Sequence, residues 1–303
     1  MKKILLYLCV LALIFAMAGC AQANPNAASA SNAETIVMDA TVSASNAFVS
    51  GSNAFVSGSN AVVSGSNAVA SASNAASASP NTSGYALDTV IVFNDAELEK
   101  AVRENMKRPT GDILVADALT MDALDFQRNG VDRSEPLIQS LDALKYFTNL
   151  TYLGMGYAVG DGGDPVHGID LSPLAGMTKL ASLQMACVPV SDISVVKNMP
   201  DLVSFTAFGG GLITDISPLA GLPKLQALTI RENKIADVTP LAGMTNLLLL
   251  DISDNLITDV TPLASLVNLE RLFIANNPAK DLSSLAAIRA QLDEWDFEAT
   301  AGK

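Results

Sequence analysis

Asp215-Ile-Ser-Pro-Leu-Ala-Gly-Leu-Pro-Lys-Leu-Gln-Ala-Leu-Thr-Ile-Arg-Glu-Asn-Lys-Ile-Ala236 decides the fold, because the chain repeats it. Its opening returns as Asp237-Val-Thr-Pro-Leu241 and Asp259-Val-Thr-Pro-Leu263, and more loosely at Asp170-Leu-Ser-Pro-Leu174, Asp192 and Asp281. The aspartates therefore step along the chain by 22 or 23 residues. Ten residues after the three close copies begins a second pattern, Leu225-x-x-Leu228-x-Ile230-x-x-Asn233, Leu247-x-x-Leu250-x-Ile252-x-x-Asn255 and Leu269-x-x-Leu272-x-Ile274-x-x-Asn277. A fixed period of this size means one supersecondary unit stacked on copies of itself, since a single unit cannot bury its own apolar face.

Within each unit the spacing assigns roles. Leu228 and Ile230 alternate with Ala227, Thr229 and Arg231, so a short strand sends the first pair inward and the others outward. Stacked units then form a parallel sheet. Asn233, Asn255 and Asn277 fall where the chain must turn, and an amide both donates to and accepts from backbone there. Ser217, Thr239 and Thr261, each followed by Pro, are expected as N-caps of a short helical or 3₁₀ turn on the opposite side.

These motifs resemble the leucine-rich repeat, and the 22-residue unit with its Asp-Ile-x-Pro-Leu segment resembles the internalin-like subfamily of bacterial surface proteins. The resemblance implies an α/β solenoid with a parallel sheet on the concave face, short helical or 3₁₀ turns on the convex face and a helical N-terminal cap. Irregular repeats extend it. Leu180-x-x-Leu183-x-Met185, Leu150-x-x-Leu153-x-Met155 and Met121-x-x-Leu124-x-Phe126 keep the inward positions toward the N-terminus, and Leu292, Trp295 and Phe297 fit a last strand, for about eight strands in all. The cap is expected over 88–119, with Asn94-Asp95-Ala96-Glu97 as a capping box and Leu98, Ala101, Val102 and Met106 on one helix face. The repeats occupy 120–303, where Asp293, Glu294, Asp296 and Glu298 are expected to solvate the last edge.

Ahead of this body lie two segments of different character. Lys2 and Lys3 precede an uncharged apolar run, Ile4 to Ala18, that suits a secretory leader better than a membrane span. It ends in Met17-Ala18-Gly19-Cys20, which resembles a bacterial lipobox, although that motif more often has Leu where Met17 stands. The resemblance implies a leader over 1–19 and lipid attached at Cys20, with two or three acyl chains holding the protein to a membrane. An ordinary leader with a chance Cys is the alternative. Residues 20–84 carry only Glu34 and Asp39 as charges and repeat a seven-residue unit, Ser45-Asn-Ala-Phe-Val-Ser-Gly51 and again from Ser52. Gly and Ser in every unit oppose a coiled coil, which leaves a flexible tether or, over 45–79, a short β-solenoid.

Composition narrows the function. The chain has 18 basic against 31 acidic residues and a formal charge of -13, so nucleic acid is not an expected partner. Cys9 and Cys20 lie in the first 20 residues, leaving Cys187 as the only cysteine of the body, and no bridge can form within it. His167 is alone, in an insertion at 160–167 whose oxygens are too few for a convincing calcium loop. No cofactor, no metal and no catalytic group is read from the sequence, and no enzyme is expected. Binding is the better reading, because the outward sheet positions have no packing duty. Among them Tyr152, Phe208, Arg231, Asp251, Arg271 and Phe273 are the candidate partner-binding residues, aromatic and arginine side chains being favoured at interface hot spots. The expectation is a lipid-anchored cell-surface module with a monomeric body that takes a protein or glycan ligand. A non-binding spacer of the envelope is the alternative.

Overall fold

A computed structural model describes residues 84–128 and 136–297. The leader, Cys20, the tether repeats up to residue 83 and Glu298 lie outside the described residues. The body forms one parallel sheet of eight strands in strictly sequential order. These are β1 (Ala123–Asp125), β2 (Tyr152–Gly154), β3 (Ser182–Gln184), β4 (Ser204–Thr206), β5 (Ala227–Thr229), β6 (Leu249–Asp251), β7 (Arg271–Phe273) and β8 (Glu294–Trp295).

Register follows the leucine pattern. Leu124, Leu153, Leu183, Phe205, Leu228, Leu250 and Leu272 pair in one continuous row and are fully buried. Each contributes about 1.5–3 kcal/mol through the apolar surface it removes from water. The row ends at Trp295, which pairs with Leu272. With no described strand beyond β8, Trp295 stays 37% exposed, and the Arg289 guanidinium lies over its ring at 4.6 Å.

The return segments are 3₁₀ turns, such as Ser217–Leu219, Thr239–Leu241 and Thr261–Ser265, with Pro in the first turn. Their caps differ from expectation. Ser217, Thr239 and Thr261 are the first residues of the turns, not N-caps. The capping acceptor is the aspartate two residues earlier: Asp215, Asp237 and Asp259 each take the backbone N–H of the Ser or Thr at 2.8 Å. Asp170, Asp192 and Asp281 do the same at 2.7–2.9 Å. The repeated Asp is thus explained by turn chemistry alone.

After each of β2 to β7 the chain turns through a left-handed residue. Tyr157, Cys187, Gly209, Glu232, Asp254 and Asn276 all have φ between 53° and 73°, a conformation costing a non-glycine residue about 1–2 kcal/mol. The expected asparagines sit one position later and offset that cost. Asn255 donates to the carbonyls of Ile252 (3.0 Å) and Ser253 (3.1 Å) in its own turn and to Ile230 (3.1 Å) in the preceding repeat, while accepting from Ile235 N at 3.0 Å. Asn233 and Asn277 repeat the scheme. In the irregular repeats Ala158, Val188 and Gly210 take this place. A Cβ at Gly210 would run into the Val188 carbonyl oxygen, so that turn is closed by backbone contact instead. A second inter-repeat series lies before the strands, where Asn149, Asn246 and Asn268 donate to Leu119, Pro223 and Thr245 carbonyls at 2.7–2.9 Å.

Side chains take up backbone groups at both ends of the sheet. Helix α1 (Ala96–Met106) buries Leu98 and Val102. Asn105 near its end donates to Asp125 O at 3.0 Å and accepts from Asp125 N at 2.9 Å, imitating a strand beside β1. The helix N-cap is Asp95 rather than Asn94. One carboxylate oxygen takes Leu98 N at 2.8 Å, and the other takes Gln139 N and Ser140 N at 2.7 and 3.1 Å, tying the cap to the first repeats. At the far end Asp296 does more than solvate: its carboxylate accepts Ile274 N and Ala275 N at 2.8 and 3.0 Å, tying the chain just past β8 to the turn that follows β7.

Replacing Asn255 by Ala strands buried groups in two repeats and is expected to cost about 3 kcal/mol in urea unfolding, against under about 1 kcal/mol for the exposed Asn268→Ala. Equal losses for the two variants would show that the turn asparagines do not carry the stack.

Candidate functional site

The strands present outward residues in rows. Tyr152, Ser182, Ser204, Ala227, Leu249, Arg271 and Glu294 pair in the first, and Asp125, Gly154, Gln184, Thr206, Thr229, Asp251 and Phe273 in the second. A third follows two residues on, where the ladder continues through Tyr157 N to Ala186 O, Cys187 N to Phe208 O and Glu232 N to Ser253 O. The expected register of the face therefore holds. What differs is how far each side chain reaches.

At the N-terminal end a polar group covers Gly154. Gln127 donates from its amide to Tyr152 Oη and Gln184 Oε1, both at 2.9 Å, and Asp125 turns back to take Gln127 N at 3.0 Å. A Cβ on Gly154 would lie within 2.6–2.8 Å of the Gln127 amide, Tyr152 Oη and Asp125 carboxylate. The glycine is what lets Tyr152, half-buried, join this network. The middle of the face is a floor of small residues, with Gly156, Ala186, Ser204, Thr206, Ala227 and Thr229 all buried.

Phe208 corrects the expectation of an exposed aromatic. It is 1% exposed, because the Arg231 guanidinium lies over its ring at 4.2 Å. The outward register of Phe208 was legible, but burial depends on the long side chain of the next repeat. Arg231 is fixed in turn by Glu232 Oε1 at 2.6 Å and lies 3.8 Å, through Nε, from Asp251 Oδ2. Asp251 Oδ1 accepts from Ser253 Oγ at 2.6 Å and Ser253 N at 3.1 Å. Burial pushes the Asp251 carboxyl above its ordinary range, Ser253 and Arg231 pull it down, and Asp296 pushes it up again. Further along, Arg271 Nε meets Glu294 Oε2 at 3.3 Å, and Phe273 is half-exposed.

The structure thus gathers Phe208, Arg231 and Asp251 into one cluster, sets Arg271 and Phe273 on the adjoining strand, and places Tyr152 in a separate network three strands away from β5. Sequence patterning missed Tyr157, Glu232 and Gln127. Tyr157 and Glu232 belong to the left-handed column, with only Cys187 and Gly209 between them. Desolvation raises the Tyr157 hydroxyl above its usual pKa, with smaller opposing effects from Arg231 and Glu232. The signal available was the constant offset of that column from the turn asparagines.

Elsewhere, Asp164 in the 160–167 insertion accepts Val166 N and His167 N at 3.0 Å and pairs with His167 Nδ1 at 2.8 Å. Among the described residues no group of three or more metal-ligating side chains converges. Cys187 is disulfide-bonded.

The family model for leucine-rich repeats in two copies matches residues 245–287. In structure the chain is similar to an internalin (inlF) of Listeria monocytogenes, with 27% identity and a TM-score of 0.59 over 67% of this chain and 56% of that one. It is also similar to internalin C2 (inlC2) of the same organism, at 28% identity and a TM-score of 0.58 over 72% of this chain and 95% of that one. The fold is a leucine-rich-repeat solenoid similar to those of these internalins. The chain spans little more than half of the first of these proteins. Listeria monocytogenes InlP, at 21% identity and a TM-score of 0.51, shares the fold. No curated protein sequence matches at a significant level. Leucine-rich-repeat solenoids of this kind mediate protein binding.

Two aspartates titrate with opposite consequences. Hydrogen bonds from Thr239 hold Asp237 below its ordinary pKa, so its contribution to stability is present above the unfolded carboxylate pKa and is lost as pH falls through the lowered one. Asp251 is raised, so its contribution is present below the unfolded pKa and is lost as pH rises through the folded one. Relative to the unmodified chain, Asp237→Asn should therefore lose most at neutral pH and Asp251→Asn most in acid. Urea midpoints from about pH 3 to 7 check this, and parallel profiles for the two variants would contradict it.

Proposed function

We propose that this chain is a lipid-anchored surface protein of bacteria that captures a protein or glycan partner on its concave sheet. The observation that carries this is the separation of duties across the strands. The inward residues alone make the core, while the outward rows hold Tyr152, Arg231, Asp251, Arg271 and Phe273 in fixed positions without contributing to it. Arg231 braced between Phe208 and Glu232 is pre-positioned, so little rotamer entropy remains to be lost on binding. The similarity to internalins supports the same reading.

Anchoring rests on Met17-Ala18-Gly19-Cys20. Among the described residues no helix is long and apolar enough to cross a membrane.

Photo-crosslinking in cells tests both halves. A benzoylphenylalanine at Ser182 or Phe273 is expected to give a discrete adduct, and one at Thr239 or Thr261 on the opposite side none. Adducts from neither face would leave a displayed body without a ligand, the spacer alternative. An alkyne-palmitate label should appear on the chain and vanish in Cys20→Ser, with the variant moving to the soluble fraction. Labelling that persists in Cys20→Ser would rule out the anchor.

A further inference from the structure

The outward face changes chemistry along its length. Over β2 to β5 the outward strand positions are uncharged and mostly small. Over β5 to β8 and the adjoining left-handed column, the described residues set the acidic Glu232, Asp251, Asp254, Glu294 and Asp296 against Arg231 and Arg271. Both arginines are already engaged, Arg231 with Glu232 at 2.6 Å and Arg271 with Glu294 at 3.3 Å. Their charge is largely cancelled in place, and the excess at this end is negative.

Phe273 stands inside that excess. The β6–β7 register sets it beside Asp251. On its other side Leu272 pairs with Trp295, so the next residue, Asp296, comes alongside, its carboxylate held on Ile274 N and Ala275 N. A half-exposed aromatic ring thus lies between two carboxylates in one row. The ring face attracts a cation, and two flanking carboxylates would hold it from either side. Asp251 has Oδ1 occupied by Ser253, while Oδ2 lies 3.8 Å from Arg231 Nε, beyond hydrogen-bond length. Burial is the main reason the Asp251 carboxyl sits above its ordinary range, with repulsion from Asp296 adding to it, and a cation between the two carboxylates would offset both.

We infer that the Asp251–Phe273–Asp296 row seats a Lys or Arg side chain of a protein partner, so that the ligand is a protein with a cationic contact segment rather than a neutral glycan. This rests on the concave-face reading above and narrows it by charge complementarity.

The test uses the full chain, isotopically labelled, in about 0.15 M salt, where long-range attraction is screened. The probes are an end-blocked octapeptide alternating Lys and Ala and its Glu counterpart. Saturable NMR shifts are expected at the Ile274 and Ala275 amides with the Lys peptide and none with the Glu peptide. Affinity should fall about tenfold in Phe273→Leu and in Asp251→Asn, which keeps the Oδ1 acceptor for Ser253, and should hold in Asp237→Asn. Shifts spread equally over the turns at Asp237, Asp259 and Asp281 would reduce the effect to general charge attraction and overturn the proposal, as would no saturable shift. If this titration fails while the crosslinking position at Phe273 still captures a partner, the cation seat is wrong and the concave-face reading stands. If the titration succeeds and no adduct forms in cells, the seat stands and the surface-receptor reading falls.

Discussion

The constraint on which the solenoid depends is that every repeat must pass a row of backbone donors and acceptors to its neighbour and find them matched. A strand of three residues has too few hydrogen bonds to hold a sheet on its own. The ladder is therefore prolonged past each strand into the left-handed turn, through bonds such as Glu232 N to Ser253 O at 3.1 Å and Asp254 N to Ala275 O at 2.9 Å. The turn asparagines bond backwards across the same junction. Asn255 alone joins backbone groups on both sides of one repeat boundary, so the repeats are coupled by polar groups as firmly as by the leucine row. Neither would suffice alone, because an apolar stack without register could slide, and a turn without burial would open to water.

The same constraint explains the ends. A parallel stack leaves an unpaired edge at either side, and such edges invite pairing with other chains. Asn105 offers β1 one donor and one acceptor, matching an edge that needs both. At the other end β8 is the last strand, and Asp296 just past it offers only acceptors, matching the N–H groups that Ile274 and Ala275 present beyond the end of β7. The choice of amide at one end and carboxylate at the other is thus dictated by which backbone groups are left over. It also places a negative charge beside Phe273 as a by-product of capping, which couples the architecture of the end to the chemistry of the face.

Much of this was legible in the sequence, and the parts that were not share a cause. Inward and outward positions follow from a period of two within a period of 22, so the strands, the leucine row and the turn asparagines could be placed from spacing alone. Local chemistry that acts at short range was misplaced by one or two residues: Asp237 rather than Thr239 caps its turn, and Asp95 rather than Asn94 caps α1. In both cases two neighbouring polar residues could accept the bond, and only backbone direction chooses. Burial on the concave face was illegible for Phe208, because its cover is Arg231, a residue 23 positions later whose own placement depends on Glu232 and Asp251. Periodicity reports where a side chain points. It does not report what reaches over it.

The division of the concave face into a small neutral floor and a charged end has a physical consequence for what it can hold. Small residues such as Gly156, Ala186 and Thr206 let the main chain of a ligand approach the sheet closely, yet they offer little to distinguish one ligand from another. Discrimination would come from the ends, where Gln127 donates to both Tyr152 and Gln184 and where Asp251, Phe273 and Asp296 stand in a row. A charged seat that is partly desolvated favours the correct opposite charge and penalises a like charge, giving specificity more than affinity. A shallow floor with one demanding end therefore suits a ligand recognised chiefly by a single anchoring side chain, while the rest of the contact supplies shape.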